Sequence, residues 1–396
     1  MIAALAVVLR TAAAVWHPYF LPDSVEYQAL AQNILAGKQY IFTGMLAKRM
    51  PGYPVFLAGI YWIFGIHPLA ALVTQAMCGG VTVGIVCYLG RKVSAIVGIA
   101  AGFFTALDPL SIGFSAALLS EIPFTLVLIL SLLLAVKIME KPVNLWLWAT
   151  FGAAWTVGIY LRAEALLCIF PLTAWMVLAN VKSAEYFKKL MGPVIAILVV
   201  LVGLMPWWVR NYQLFHEDFF RLTTLEGISL YEAVYPGANG GPKQSEIVLP
   251  AGMSALNESQ RDLAWKQMAL EQMREDPVRM MRLAVIKMTR TWSPGLNSEE
   301  YTSKTLNLIL SIWYAPLYVL ALAGIASLWS RRDSYKQNAL SRELLGVLLI
   351  TILYFTFMHA VFIGSVRYRV PLMPEVAILA AIGLGWALTR ISRGQT

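Results

Sequence analysis

Carboxylates are scarce in this sequence: 22 Asp and Glu stand among 396 residues, against 31 Lys and Arg. Charged residues of both signs make up only 13% of the chain, and hydrophobic residues make up 59%. Soluble globular and disordered chains carry far more charge, so both classes are excluded. The three cysteines, Cys78, Cys87 and Cys168, all sit inside apolar runs. Cys78 and Cys87 fall on one helix and cannot meet, which excludes a disulfide framework. Four histidines, His17, His67, His216 and His359, show no HExxH or other metal spacing, so no metal site is legible. No internal repeat and no low-complexity tract is present.

What is there is apolar sequence in long runs. A mean hydropathy of +0.65 and recurrent runs of about 20 residues imply an all-α polytopic membrane protein. About ten transmembrane helices are expected, at 2–17, 69–89, 93–109, 119–137, 144–160, 164–180, 191–209, 306–329, 343–363 and 370–389. Residues 1–16 hold Arg10, lack a basic leader and show no small-residue cleavage site. They are expected to be a first span short of a few upstream residues, not a signal peptide.

The net charge of +9 does not point to nucleic acid, because the basic residues cluster at span ends. Arg91-Lys92, Lys137 with Lys141, Lys182 with Lys188-Lys189, Arg331-Arg332 with Lys336 and Arg342, and Arg390 with Arg393 fall on one side. That side is expected to be cytoplasmic and to hold both termini. Trp16, Tyr19, Trp146, Trp148, Trp207, Trp208, Trp313 and Trp329 lie near span ends, where interfacial aromatics are expected.

This topology divides the chain into a seven-span N-terminal module (1–209), an outer domain (210–305) and a three-span C-terminal module (306–396). Residues 18–68 form a first outer loop, with a short helix at 23–36 and an apolar interfacial helix over Pro54–Phe64. The outer domain reads as turns around Tyr235–Pro242, then two helices between Asn257 and Trp292, broken at Asp276-Pro277. The second of these sets Arg279, Arg282, Lys287 and Arg290 beside Met280, Met281, Leu283 and Ile286, a basic amphipathic pattern suited to anionic headgroups.

Chemistry-bearing residues gather on the outer side. Asp23 and Glu26 are three apart, so a helix presents both on one face. Pro22-Asp23-x-x-Glu26 also reads as a helix start, with Asp23 as N-cap and Glu26 closing a capping box; a cap can also be a base. Lys48-Arg49 returns cations to the same loop, and a guanidinium beside carboxylates suits an anion, phosphate above all. Glu121 stands at the outer end of the fourth span, and Asp108, before Pro109, reads as a helix stop. Arg162 with Glu164, Arg210, and Arg367-Tyr368-Arg369 place three cationic groups on the outer side against the positive-inside trend. Converging with two acidic loops, they favour an anionic ligand there.

Asp23-Ser24-x-x-Tyr27-x-x-Leu30-Ala31-x-Asn33-x-x-x-Gly37 followed by Arg49-Met50-Pro51-Gly52-Tyr53-Pro54 resembles the first outer loop of the GT-C glycosyltransferases. The branch holds the protein O-mannosyltransferases and the lipid A aminoarabinose transferases. Leu119-Ser120-Glu121-x-Pro123-Phe124, Pro206-Trp207-x-x-Arg210-Asn211, Lys287-x-x-Arg290-x-Trp292-Ser293-Pro294 and Arg367-Tyr368-Arg369-x-Pro371 agree in order. The protein mannosyltransferases usually carry adjacent acids in the first loop, whereas Ser24 follows Asp23 here.

The resemblance implies a glycosyltransferase that moves a sugar from a polyprenyl-phosphate donor to a lipid, glycan or protein hydroxyl at the outer face of the membrane. Asp23 matches the catalytic aspartate. Lys48, Arg49, Arg210 and Arg367 are expected at the donor phosphate. Glu26, Tyr27, Tyr53, Glu121, Arg162, Glu164, Tyr368 and Arg369 are expected around the substrates. Some relatives place a divalent ion at the phosphate, and the sequence leaves metal use open. An O-antigen ligase or polymerase is the alternative; it would rely on outer-loop Arg and His, and His216 is the only histidine of the large loop. A transporter would need polar groups at the midplane, but the candidates crowd one face.

Overall fold

The computed structural model describes residues 1–179, 186–297, 303–330 and 339–393. Lys182, Arg331, Arg332 and Lys336, named above as cytoplasmic cations, lie outside the described residues, as do the side chains of Lys188, Lys189, Trp329, Arg342 and Arg393.

Among the described residues every regular element is a helix. It opens with α1 (Ile2–Trp16), α2 (Pro22–Leu35) and α3 (Gly52–Phe64), then α4 (Pro68–Arg91), α5 (Ala95–Ala106) and the short α6 (Pro109–Phe114). Next come α7 (Glu121–Glu140), α8 (Leu145–Leu161), α9 (Ile169–Leu178) and the long α10 (Tyr186–Phe215). The segment expected to be the outer domain holds α11 (Glu226–Glu232), α12 (Glu258–Glu275) and α13 (Pro277–Thr291). The chain ends with α14 (Lys304–Ser330), α15 (Ala339–Val361) and α16 (Met373–Arg393). Every expected span coincides with a helix. Among the described residues six helices are long and apolar enough to cross a membrane. The other four expected spans are shorter apolar helices: Ile2–Trp16, Ala95–Ala106, Leu145–Leu161 and Ala163–Leu178. A 15-residue helix such as α1 is about 22 Å long, less than the 30 Å hydrocarbon core.

One large apolar core runs through the bundle, with α14 on α16, α4 on α5 and α1, and α8 on α7 and α10. Arg10 is buried within α1, where it donates to the Thr105 and Ala106 carbonyls, both at 3.0 Å. Those carbonyls close α5 and have no partner within it. Trp16 and Trp146 are exposed, as expected of interfacial aromatics, but Trp148, Trp207 and Trp208 are buried in the core instead. The Trp148 indole, for example, donates to Pro142 O at 2.9 Å.

Between α10 and α14, α11 packs on α12, and Asp276 N-caps α13 by accepting from Arg279 N at 2.8 Å. Three of the four cations expected to face headgroups from α13, Arg279, Lys287 and Arg290, turn inward, and Arg282 alone of the four stays exposed. Arg279 donates to Val234 O and Tyr235 O, Lys287 to Val361 O, and Arg290 to Gly364 O and Asn297 O. These cations satisfy carbonyls that the turns leave open. Burial, with Arg279 nearby, lowers the Lys287 ammonium to about 8.

Candidate active site

The site is built first on α2. Pro22 occupies its first position, where a missing N–H costs nothing. The Ser24 hydroxyl accepts from Leu21 N at 3.2 Å. Asp23 is therefore not the N-cap and Glu26 closes no capping box, a correction to the sequence reading. Ser24 meets the open N–H group, and the Asp23 carboxylate is left for long-range partners.

Those partners are two arginines. Asp23 Oδ1 accepts from Arg49 Nη2 at 2.6 Å, and Oδ2 accepts from Arg367 Nη1 at 2.8 Å. Glu26, one turn on and 2% exposed, accepts from Lys48 Nζ and Arg49 Nε, each at 3.1 Å. Arg49 thus bridges both acids of α2. Arg367 extends the chain of charges by donating Nε to Glu121. Glu121, wholly buried, also faces Arg162 Nη1 at 3.2 Å. Arg162 Nε donates to Glu164 at 2.8 Å, and His359 Nε2 lies 3.9 Å from that carboxylate. Four cations alternate with four carboxylates, so the network is neutral as it stands.

Burial raises the Asp23 carboxyl, but Arg49 and Arg367 together outweigh it and hold the group below its ordinary value. Burial also works against the Arg49 charge; Tyr27, Asp23 and Glu26 more than offset it, and the guanidinium is held above its usual range. Aromatic rings set the arginine planes. Arg49 lies over Tyr27 at 5.5 Å, and Arg162 lies over Phe124 at 5.8 Å and Tyr368 at 5.6 Å. His359 stacks flat on Tyr368 with centroids 4.4 Å apart.

A cavity of about 370 Å³ opens beside this network. Asp23, Lys48, Arg49, Arg162, Glu164 and Arg367 line its charged side. Leu166, Leu167, Tyr354, Met358 and Phe362 line an apolar side, and Leu222, Thr223, Leu225, Glu226 and Ser229 contribute a further wall.

The structure does not bring all the expected residues here. Tyr53 is buried behind the site, edge-on to Tyr27 at 4.8 Å, with its hydroxyl on Gln75. Arg210 points to the first loop's backbone and lines no part of the cavity. Arg369 is wholly buried, donates to Thr291 O and Ser293 O, and lies over Tyr314 at 4.4 Å. His216 ends α10 against Tyr212, outside the cavity lining. Sequence reasoning missed His359 and Tyr354; the signal available was their place in the C-terminal half of the ninth expected span, just before Arg367.

A divalent ion at this site would need ligands free to face it. Among the described residues no three His, Cys, Asp or Glu side chains gather as such a set, and the four carboxylates of the network face Lys and Arg. The residues as arranged do not fit a resident metal ion, and the positive charge of the site is supplied by side chains.

Residues 48–209 match the family model described as dolichyl-phosphate-mannose-protein mannosyltransferase. No curated protein matches the chain. The apo oligosaccharyltransferase of Archaeoglobus fulgidus has a TM-score of 0.59 at 13% identity, over 100% of this chain and 51% of that one. The AglB oligosaccharyltransferase of the same organism, in complex with an inhibitory peptide and a dolichol-phosphate, gives 0.56 at 12% identity, over 100% and 51%. ArnT from Cupriavidus metallidurans bound to undecaprenyl phosphate gives 0.44 at 14% identity, over 97% and 77%. The chain therefore spans about half the length of these oligosaccharyltransferases, and the likeness is one of fold.

Proposed function

We propose that this chain is an integral-membrane glycosyltransferase of the GT-C superfamily and that it transfers a hexose or pentose from a polyprenyl-phosphate donor, a reading supported by the match over residues 48–209 and by the likeness of fold. The acceptor is a lipid, glycan or protein hydroxyl at the outer face of a bacterial inner membrane. In this reading the cavity faces the periplasm and both termini are cytoplasmic. The basic residues at the ends of α4 and α7, Arg91, Lys92, Lys137 and Lys141, support that orientation.

The observation that carries the reading is the double grip of Arg49 and Arg367 on Asp23 at a cavity of substrate size. A phosphate leaving group needs no protonation, so one base and a set of cations are enough. The acceptor O–H gives its proton to Asp23, and the oxygen forms a new bond to the anomeric carbon. The bond from that carbon to the phosphate oxygen breaks, and polyprenyl phosphate departs with inversion at carbon. Arg49 and Arg367, with Lys48 and Arg162 close by, balance the departing charge.

With both oxygens held, Asp23 is a poor base in the arrangement described above. A donor phosphate that draws Arg49 and Arg367 to itself releases the carboxylate, so base strength rises when donor is bound. His216, the residue on which the ligase alternative turns, stands outside this cavity.

The test is Asp23→Asn. The variant is expected to fold and to bind undecaprenyl phosphate, while transfer falls by about 10²–10⁴-fold. Transfer is read by mass spectrometry of lipid-linked and envelope glycans from cells with wild-type or variant protein. An unchanged glycan profile in the variant overturns the role given to Asp23.

A further inference from the structure

The loop that delivers Lys48 and Arg49 is held from two sides just before it does so. Leu46 N and Ala47 N donate to the two oxygens of Glu258, at 2.5 and 3.0 Å. Glu258 opens α12 in the outer segment, more than 200 positions away. The Thr224 hydroxyl donates to the same carboxylate, and Thr224 N donates to Ala47 O at 3.0 Å. From the bundle side, Arg210 Nη2 donates to Leu46 O at 2.8 Å and to Tyr40 O at 3.3 Å. Its guanidinium lies over Trp207 at 4.5 Å and over Tyr40 at 5.4 Å, two rings that meet edge to face. The Tyr40 hydroxyl in turn donates to Arg49 O and Met50 O, at 3.2 and 3.3 Å.

The Leu46 peptide is thus gripped at its N–H by a carboxylate from the outer segment and at its C=O by a guanidinium from α10. Both bonds are charge-assisted, the stronger class. A reciprocal pair, Gln260 N to Asn257 Oδ1 at 2.8 Å and Asn257 N to Gln260 Oε1 at 3.3 Å, fixes the start of α12 and with it Glu258. Lys48 and Arg49, two and three positions on, are the side chains that meet Glu26 and Asp23. Neither Glu258 nor Arg210 lines the cavity.

We propose that Glu258 and Arg210 are positioning residues: together they clamp the Leu46 peptide and so fix how Lys48 and Arg49 face the carboxylates and the donor phosphate. The phosphate part of this proposal rests on the function proposed above; the clamp itself does not. Through Glu258 the outer domain controls the cationic half of the site without touching a substrate.

Glu258→Gln keeps the side-chain shape but turns an NH₂ group toward a peptide N–H. Thr224→Val removes only the supporting hydroxyl and serves as the milder variant should the first not fold. The probes are hydrogen exchange of the purified full chain and binding of undecaprenyl phosphate in detergent. Amide exchange over residues 46–50 is expected to quicken about tenfold or more in Glu258→Gln and less in Thr224→Val. Affinity for undecaprenyl phosphate is expected to fall about tenfold in Glu258→Gln, yet change less than about twofold when Arg49 is already Ala.

A merely structural anchor would give the same fold loss in both backgrounds. That result, or unchanged exchange at residues 48–50, overturns the proposal. If wild-type protein fails to bind undecaprenyl phosphate, the phosphate reading of the site falls, and the exchange measurement alone decides the clamp.

Discussion

Asp23 and Arg49 lie 26 positions apart in the chain and meet at 2.6 Å. Because Arg367 holds the other oxygen, the carboxyl stays ionised below the ordinary value of about 4. The sign of the consequence is fixed: a lowered value stabilises the fold above the ordinary carboxylate range, and that contribution is lost as pH falls through the lowered value. The profile of kcat/KM reports the free enzyme and that of kcat the bound one. The acid limb of kcat/KM is therefore expected below about pH 4. If donor phosphate takes the arginines away from Asp23, the acid limb of kcat stands at higher pH. Coincident limbs in the two profiles would rule out that exchange.

Glu121 is wholly buried between Arg162 and Arg367. Glu121→Gln keeps the shape and removes the charge that separates two guanidiniums. Breaking a buried ion pair from one side costs about 3–5 kcal/mol, because the remaining charge is left uncompensated. The midpoint of thermal unfolding in detergent should drop clearly. A midpoint within about one degree of wild type would show that the two arginines find other partners.

Arg10 makes a prediction away from the site. Its guanidinium satisfies Thr105 O and Ala106 O inside the bundle. Arg10→Met fills much the same space and leaves both carbonyls open, at about 1–3 kcal/mol for each group left unpaired. Unfolding should come at lower temperature while affinity for undecaprenyl phosphate stays at the wild-type value, since Arg10 does not line the cavity. A parallel loss of affinity would mean that α1 and α5 also shape the site.

Much of this arrangement was legible in the sequence, and the limits have a physical pattern. Apolar period and length placed every expected span on a helix, because burial in lipid or core selects for them directly. Topology put Asp23, Arg49, Glu121, Arg162 and Arg367 on one face, and they do converge. The destinations of individual guanidiniums were not legible. Arg210 and Arg369 read like Arg367, yet they serve backbone carbonyls of segments 40–46 and 291–293. Which carbonyls lie open depends on how distant turns pack. Asp23 read as a cap because local spacing ranks it first; Ser24 takes that task with a hydroxyl one position on. Glu258 reads as an ordinary first-turn acid, and nothing local announces a partner in the first loop.

Gly52 carries the last prediction. A Cβ added there would lie 2.4 Å from both the carbonyl carbon and oxygen of Tyr160, and 2.7 Å from Leu161 N. These are backbone atoms of α8 and cannot rotate away. Gly52 starts α3 three positions after Arg49, and Tyr160-Leu161 comes just before Arg162. The missing side chain thus lets two segments touch where each delivers an arginine to the cavity. Gly52→Ala must push α3 off α8, at about 1–3 kcal/mol in stability. It should also separate Arg49 from Arg162 and weaken binding of undecaprenyl phosphate. Gly59→Ala is the control within α3, since its Cβ would meet nothing within 4 Å. There the better helix propensity of Ala is expected to stabilise by up to about 1 kcal/mol. If both variants unfold at the wild-type temperature and bind equally well, the close approach of α3 to α8 does not hold the site together.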